Sequence, residues 1–198
     1  MAATAQRTEA VADITWEAAG VAPRNAPTAA PDPSHATTPF ARRALAALRI
    51  LLGWMFLWPF LDKLFGLGFS TESAKAVVNG GSPTEGFLKF GTQGPFAHMF
   101  DSVAGAWWLD AVFMLGLLGI GVALIAGIGL RIAAVSCTLM MLFMYLVTLQ
   151  PATNPIVDSH WLMAIAAIVA AATYAGNTWG LGRRWGSTAL VRRYAWLR

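Results

Sequence analysis

The sequence predicts an all-α integral membrane protein, a four-helix bundle with both termini on the cytoplasmic side. Three observations predict it. Of the 198 residues, 57% are hydrophobic and only 12% charged, against roughly 45–50% and about 25% in soluble domains. The apolar residues gather into four runs, about 44–61, 111–130, 132–149 and 161–181. Each is near the ~20 residues that carry a helix across ~30 Å of hydrocarbon. The charges separate between the two ends of these runs. Arg42, Arg43, Arg49, Arg131, Arg183, Arg184, Arg192, Arg193 and Arg198 mark one end, while Asp62, Glu72, Glu85, Asp101, Asp110 and Asp158 mark the other with only Lys63, Lys75 and Lys89. By the positive-inside rule the arginine end faces the cytoplasm. The net charge of +4 therefore reports orientation and not nucleic-acid binding. An outer-membrane barrel is excluded, because no stretch alternates with period two.

The elements follow in order. Residues 1–40 carry Pro23, Pro27, Pro31, Pro33 and Pro39 among Ala and Thr and read as a disordered cytoplasmic tail. The tail is not a secretory signal, because the first apolar run starts too late. Residues 41–186 form the transmembrane domain. Its first span ends in Trp58-Pro59-Phe60-Leu61-Asp62-Lys63, which predicts a kink near Pro59. The outer loop, 62–110, is cut into three pieces by Gly80-Gly81-Ser82-Pro83 and Gly91-Thr92-Gln93-Gly94-Pro95. Its apolar Phe87, Leu88, Phe90, Phe96, Met99 and Phe100 predict short interfacial helices capping the bundle. Gly127 to Arg131 reads as a tight hairpin between spans two and three. Small residues at Gly119, Ala123 and Gly127 in span two, and at Ala164, Ala167, Ala171 and Ala175 in span four, predict close helix packing. The tail 187–198, with Leu190, Tyr194 and Leu197 beside arginines, reads as an amphipathic helix on the anionic leaflet. Most of the nine tryptophans fall at predicted span ends, as in an aromatic belt.

The chemistry narrows by elimination. A lone Cys137 with no CxxC argues against dithiol relay chemistry and reads as a packing residue. His35, His98 and His160 all lie outside mid-membrane, so no haem is expected between helices, and a zinc site fails on ligand count. What remains is a polar group at the outer end: Asp62, Lys63, His98, Asp110, Gln150, Asn154, Asp158 and His160. Each has a structural reading, since Asp158 or Ser159 can cap span four, Lys63 can snorkel and Asn154-Pro155 suits a turn. Taken together with Trp161 and Tyr145, they are a candidate pocket for a flat, partly polar molecule. His160 beside Asp158 suits proton exchange near neutral pH.

The segment Leu48-Arg49-Ile50-Leu51-Leu52-Gly53-Trp54-Met55-Phe56-Leu57, followed by Asp62-Lys63-Leu64, resembles the opening of the DoxX/DoxD membrane-protein family. The resemblance continues in Gly81-Ser82-Pro83-Thr84-Glu85-Gly86-Phe87-Leu88, Gly94-Pro95-Phe96, Gly127-Ile128-Gly129-Leu130-Arg131 and Asn154-Pro155-Ile156-Val157-Asp158-Ser159-His160. It covers about residues 44–186 and is nearest the branch that includes the small subunit of thiosulfate:quinone oxidoreductase. It implies a four-helix bacterial inner-membrane protein and, for that branch, a quinone-linked oxidation of a sulfur compound with a partner subunit, quinone being a diffusible substrate. The family-motif positions are Arg49, Gly53, Lys63, Asn154, Asp158 and His160. With three lysines against six acids, the outer face is a poor general attractor for a dianion. A non-catalytic anchor or assembly factor for peripheral redox proteins is the rival reading. Transport is disfavoured by the lack of a mid-membrane polar site.

Overall fold

The computed structural model describes residues 38–92, 94–149, 154 and 156–197. The tail before residue 38, Gln93, Gln150 to Thr153, Pro155 and Arg198 lie outside the described residues, and with them the expectations for the N-terminal tail and for Gln150. The described residues are helical, with no strand among them. Helix α1 is Pro39–Phe65, α2 Glu85–Phe90, α3 Ala97–Asp101, α4 Trp107–Ala126, α5 Leu130–Val147, α6 Ser159–Ala172, α7 Gly182–Gly186 and α8 Ala189–Arg193. Three of them, α1, α4 and α5, are long and apolar enough to cross a membrane.

Helix α1 starts earlier than the apolar run does, because the Thr38 hydroxyl accepts from the Ala41 N–H at 3.1 Å and Pro39 takes the first helical position. It continues through Pro59, so the proline that predicts a kink does not end the helix. The helix closes at Gly66, whose φ of 66° lets its N–H reach the Asp62 carbonyl at 2.8 Å. Between α4 and α5 only residues 127–129 intervene, with Gly127 and Gly129 both left-handed, which is the tight hairpin the sequence predicts. The outer loop is broken where the glycines fall: 3-10 turns at Ser73–Lys75 and Val77–Asn79, then α2, then α3.

The expectation for the fourth run is corrected in length. Instead of continuing to 181, α6 stops at Ala172, about 21 Å of helix. Tyr174 takes a left-handed φ of 50°, a 3-10 turn follows at Ala175–Asn177, and Trp179 is again left-handed at φ 51°. Such non-glycine conformations cost of order 1 kcal/mol or more each and persist only where surrounding contacts hold them. The C-terminal segment differs too. In place of one amphipathic helix over 187–198 there are α8 and a separate 3-10 turn, Ala195–Leu197. Trp185 Nε1 donates to the Leu197 carbonyl at 2.8 Å, folding the end back so that Ala195–Leu197 packs on α5. Val191 and Leu197 are buried, while the predicted face residues Leu190 and Tyr194 are exposed.

The four longest helices pack in a ring, α1 on α4, α4 on α5, α5 on α6 and α6 on α1. Their shared core holds Leu52, Phe56, Leu117, Ile120, Leu124 and Cys137. The outward surface is just as apolar: Leu51 is 66% exposed and Leu115 67%, a pattern that suits a hydrocarbon surround. With lipid outside, helix association rests on close packing of backbones. Ala164, Ala167, Ala171 and Ala175 are all buried, as their spacing predicts. On the second span the three expected positions divide: Gly127 is tightly packed, a Cβ on it meeting the Gly176 Cα at 2.8 Å, whereas Gly121, outside the expected set, closes on α1. A methyl group on Gly53 would stand 2.8 Å from Ile125 Cγ1 and 2.9 Å from its backbone N, and one on Gly121 would stand 2.9 Å from the Leu57 N. Those two glycines set the α1–α4 approach. Gly119, which the four-residue spacing singles out, has nothing within 4 Å of its Cβ position.

Arg49 locks this arrangement at the arginine end. It is fully buried. Its Nη1 donates to the carbonyls of Leu124 and, at 2.8 Å, Ile125, and its Nη2 to those of Trp179 at 3.1 Å and Thr178 at 3.4 Å. The last four carbonyls of a helix lack partners in their own helix, and here every one in α4 is met. Ala123 accepts from the Gly127 and Ile128 N–H groups, Leu124 and Ile125 from Arg49, and Ala126 from the Leu181 N–H at 2.8 Å. The guanidinium also sits at the negative end of the α4 dipole. Gly176 lies so close to Gly127 that a Cβ on it would meet the Gly127 carbonyl oxygen at 2.2 Å.

Gly53→Ala is expected to cost about 1–3 kcal/mol by forcing α1 and α4 apart, read as a lower unfolding temperature in detergent. Gly119→Ala is expected to hold or raise that temperature, since the helix gains propensity without a clash. Arg49→Met is expected to cost about 3–5 kcal/mol by stranding four carbonyls. Arg49→Lys should recover little of this, because an ammonium lacks the fork that bridges two elements.

Candidate functional site

The residues the sequence singles out at the acidic end are held in separate local knots. Asp62, in the last turn of α1, is buried and accepts from the Ser70 N–H at 2.9 Å, the Ser70 hydroxyl at 2.7 Å and the Phe69 N–H at 3.3 Å. Its carboxylate shapes the chain that leaves the helix. Asp110 lies in the first turn of α4, where negative charge suits the helix dipole. Its Oδ1 accepts from the Ser82 hydroxyl at 2.9 Å, the Thr84 hydroxyl at 2.6 Å and the Thr84 N–H at 3.2 Å. This staples the loop before α2 to α4. Asn154 Oδ1 accepts from the Ile156 and Val157 N–H groups at 3.0 and 3.1 Å, an Asx turn. Lys63 is half-buried and His98 exposed, and neither takes part in an ion pair among the described residues. The pairs that do form on the loop, Lys75–Glu72 and Lys89–Glu85, are exposed and contribute little.

The fourth knot carries chemistry. Asp158 caps α6, its Oδ1 accepting from the His160 N–H at 3.0 Å, and its Oδ2 lies 2.5 Å from His160 Nδ1. The two side chains are 12% and 18% exposed. Burial of Asp158 works against its charge, but the His160 side chain and the His160 and Trp161 backbone N–H groups outweigh this and hold the carboxyl below the usual aspartate range. A carboxylate on Nδ1 fixes the ring's orientation and leaves Nε2 as the nitrogen for exchange. Beside the pair, Trp161 packs edge-on against Tyr145 with ring centroids 5.3 Å apart, and the Tyr145 hydroxyl donates to the Ile156 carbonyl at 3.3 Å.

No hydrogen bond or ion pair among the described residues joins the Asp62, Asp110, Asn154 and Asp158 knots to one another. The sequence points to the acids but not to Ser70, and Thr84 stands out only as part of the 81–88 run of the family resemblance, with no role attached to it. Arg49 reads from sequence as an end-of-span charge and a family-motif position, not as the clamp on backbone carbonyls that it is. The available signal was its place one turn inside an apolar run with no acid near it in the chain. Among the described residues no group of His, Cys, Asp and Glu is arranged to hold a metal.

Apolar helices packed in a ring, lipid-compatible on the outside and pinned by a buried arginine, define a helical membrane protein. Residues 44–150 match the DoxX family, more than half of the chain, and the chain belongs to that family. The matched stretch contains Arg49, Gly53, Lys63 and Asp110, and it ends before Asn154, Asp158 and His160. No curated protein and no solved structure matches the chain.

The depressed native pKa of Asp158 makes its contribution to stability complete above the ordinary aspartate value of 3.8 and lost as pH falls through the native value. Asp158→Asn is therefore expected to lower the thermal midpoint in detergent at pH 6. The gap from wild type should close as the pH drops below 3.8. A gap of constant size across that range would overturn the assignment.

Proposed function

We propose that this DoxX-family protein is an inner-membrane subunit of a quinone-linked oxidoreductase, with His160 exchanging protons with a bound quinone. The observation that carries the reading is the Asp158–His160 pair, 2.5 Å between Oδ2 and Nδ1, set beside the Tyr145–Trp161 rings at the end that carries the acids. In this reading α1, α4, α5 and α6 form a four-helix bundle in the membrane with both termini cytoplasmic. Support comes from the charge pattern: all eight arginines of the described residues fall at one end of the helices and all six acids at the other. Two electrons leave a sulfur compound through a partner subunit, and two protons complete the quinol. His160 Nε2 delivers one of these protons, with Asp158 steadying the imidazolium. Lys63 is the remaining cation of α1 at this end and serves to hold the anionic donor or the reduced oxygen.

A second reading, a non-catalytic anchor for peripheral redox proteins, is favoured by one observation. Asp62 and Asp110 are fully engaged in shaping loops, which leaves the outer face as a docking surface.

Membranes holding the protein, supplied with thiosulfate and a quinone analogue, are expected to reduce the quinone, and His160→Ala should lower the rate by roughly a hundredfold or more. Organic extraction of the purified protein should release quinone. An unchanged rate in the variant removes His160 from the chemistry. Absence of quinone together with recovery of stoichiometric partners in mild detergent selects the anchor.

A further inference from the structure

At the arginine end a cavity of about 290 Å³ opens between α4 and α5. Gly116, Gly119 and Ala123 form one wall, Ile132 and Ser136 the other, and Trp185 stands at its end. It is open at Gly119, where nothing lies within 4 Å of a Cβ position, while at Gly116 the Met140 side chain closes in. For comparison, an apolar cavity of about 150 Å³ in a protein core stays dry and takes up a small hydrocarbon. An unfilled groove of this size forfeits dispersion contacts along its whole lining. In a bilayer the available filler is an acyl chain.

What lies beside the groove specifies which lipid. Trp185 is flanked in sequence by Arg183 and Arg184, both exposed, and neither takes part in an ion pair among the described residues. All six acids of the described residues lie at the other end of the helices, so this end has no acidic side chain of its own to offer them. A second copy of the chain is a poor occupant. Copies that share one orientation in the membrane bring their arginine ends together, and like charges repel. An anionic lipid meets both requirements, with phosphate for the guanidinium groups and an apolar tail for the groove.

We propose that the α4–α5 groove is a binding site for one anionic phospholipid, an acyl chain lying along Gly116, Gly119 and Ala123 and the phosphate held by Arg183 and Arg184. The site is independent of the Asp158–His160 pair and lies at the opposite end of the helices from it.

The test is native mass spectrometry of the full chain released from nanodiscs of equal phosphatidylglycerol and phosphatidylcholine. Wild type should retain one lipid, with a preference for phosphatidylglycerol of roughly five- to thirtyfold, the factor that one or two basic residues confer at an anionic surface. Gly119→Leu fills open space and should lose the retained lipid while keeping the wild-type helical circular dichroism. The double variant Arg183→Gln, Arg184→Gln should keep a lipid and lose the preference. The proposal is overturned if wild type retains no lipid, if it retains both lipids equally, if folded Gly119→Leu retains as much as wild type, or if the mass is that of a dimer with no lipid.

Discussion

A guanidinium buried among apolar helices with no carboxylate beside it is the constraint on which the rest of this structure depends. Arg49 is completely enclosed, and the groups that meet it are backbone carbonyls from two places, the last turn of α4 and the turn beyond α6. Each side solves the other's problem. Helix ends in an apolar surround have no water to satisfy their carbonyls, and a buried cation needs acceptors. The close contact of Gly127 with Gly176, the left-handed turns at Tyr174 and Trp179 and the early end of α6 all follow from bringing those carbonyls within reach of one side chain. Nε alone finds no acceptor among the described residues.

The two ends of the helices use charge in opposite ways. At the arginine end one buried side chain gathers distant backbone. At the other end, buried or partly buried carboxylates hold loops: Asp62 the chain leaving α1 and Asp158 the first turn of α6, both close in sequence, and Asp110 the loop entering α2, 26 to 28 residues before it. Only the last of these also touches an imidazole. The acidic end is therefore a set of stapled loops in which one staple has the chemistry to move a proton.

Much of the fold was legible because it is written in side chains. Runs of apolar residues predict the helices, and the glycines at 80–81 and 127 predict breaks and the hairpin that the structure has. The alanine stripe of the fourth run is buried as its spacing requires. What was illegible is written in backbone. The break signals in residues 161–181, Gly176-Asn177 and Gly180, fall after the stop at Ala172, and the turn that follows it is held by Arg49 more than a hundred residues earlier. The choice of Gly53 and Gly121 over Gly119 depends on helix rotation, which spacing alone leaves undetermined. The site was half legible: residue types pointed to Asp158 and His160, and only geometry separated their contact from the local duties of Asp62 and Asp110.

The reach of Arg49 along the chain also sets an order of assembly. Its acceptors lie 76 residues ahead at Ile125 and 130 residues ahead at Trp179. During synthesis, α1 is thus made long before either acceptor exists. Pairing with α4 satisfies half of the guanidinium, and the other half waits until the turn beyond α6 has been made. Packing around Arg49 is complete only once the chain has been made past Trp179, so Arg49 acts as an internal check that α6 and the turn beyond it are in place.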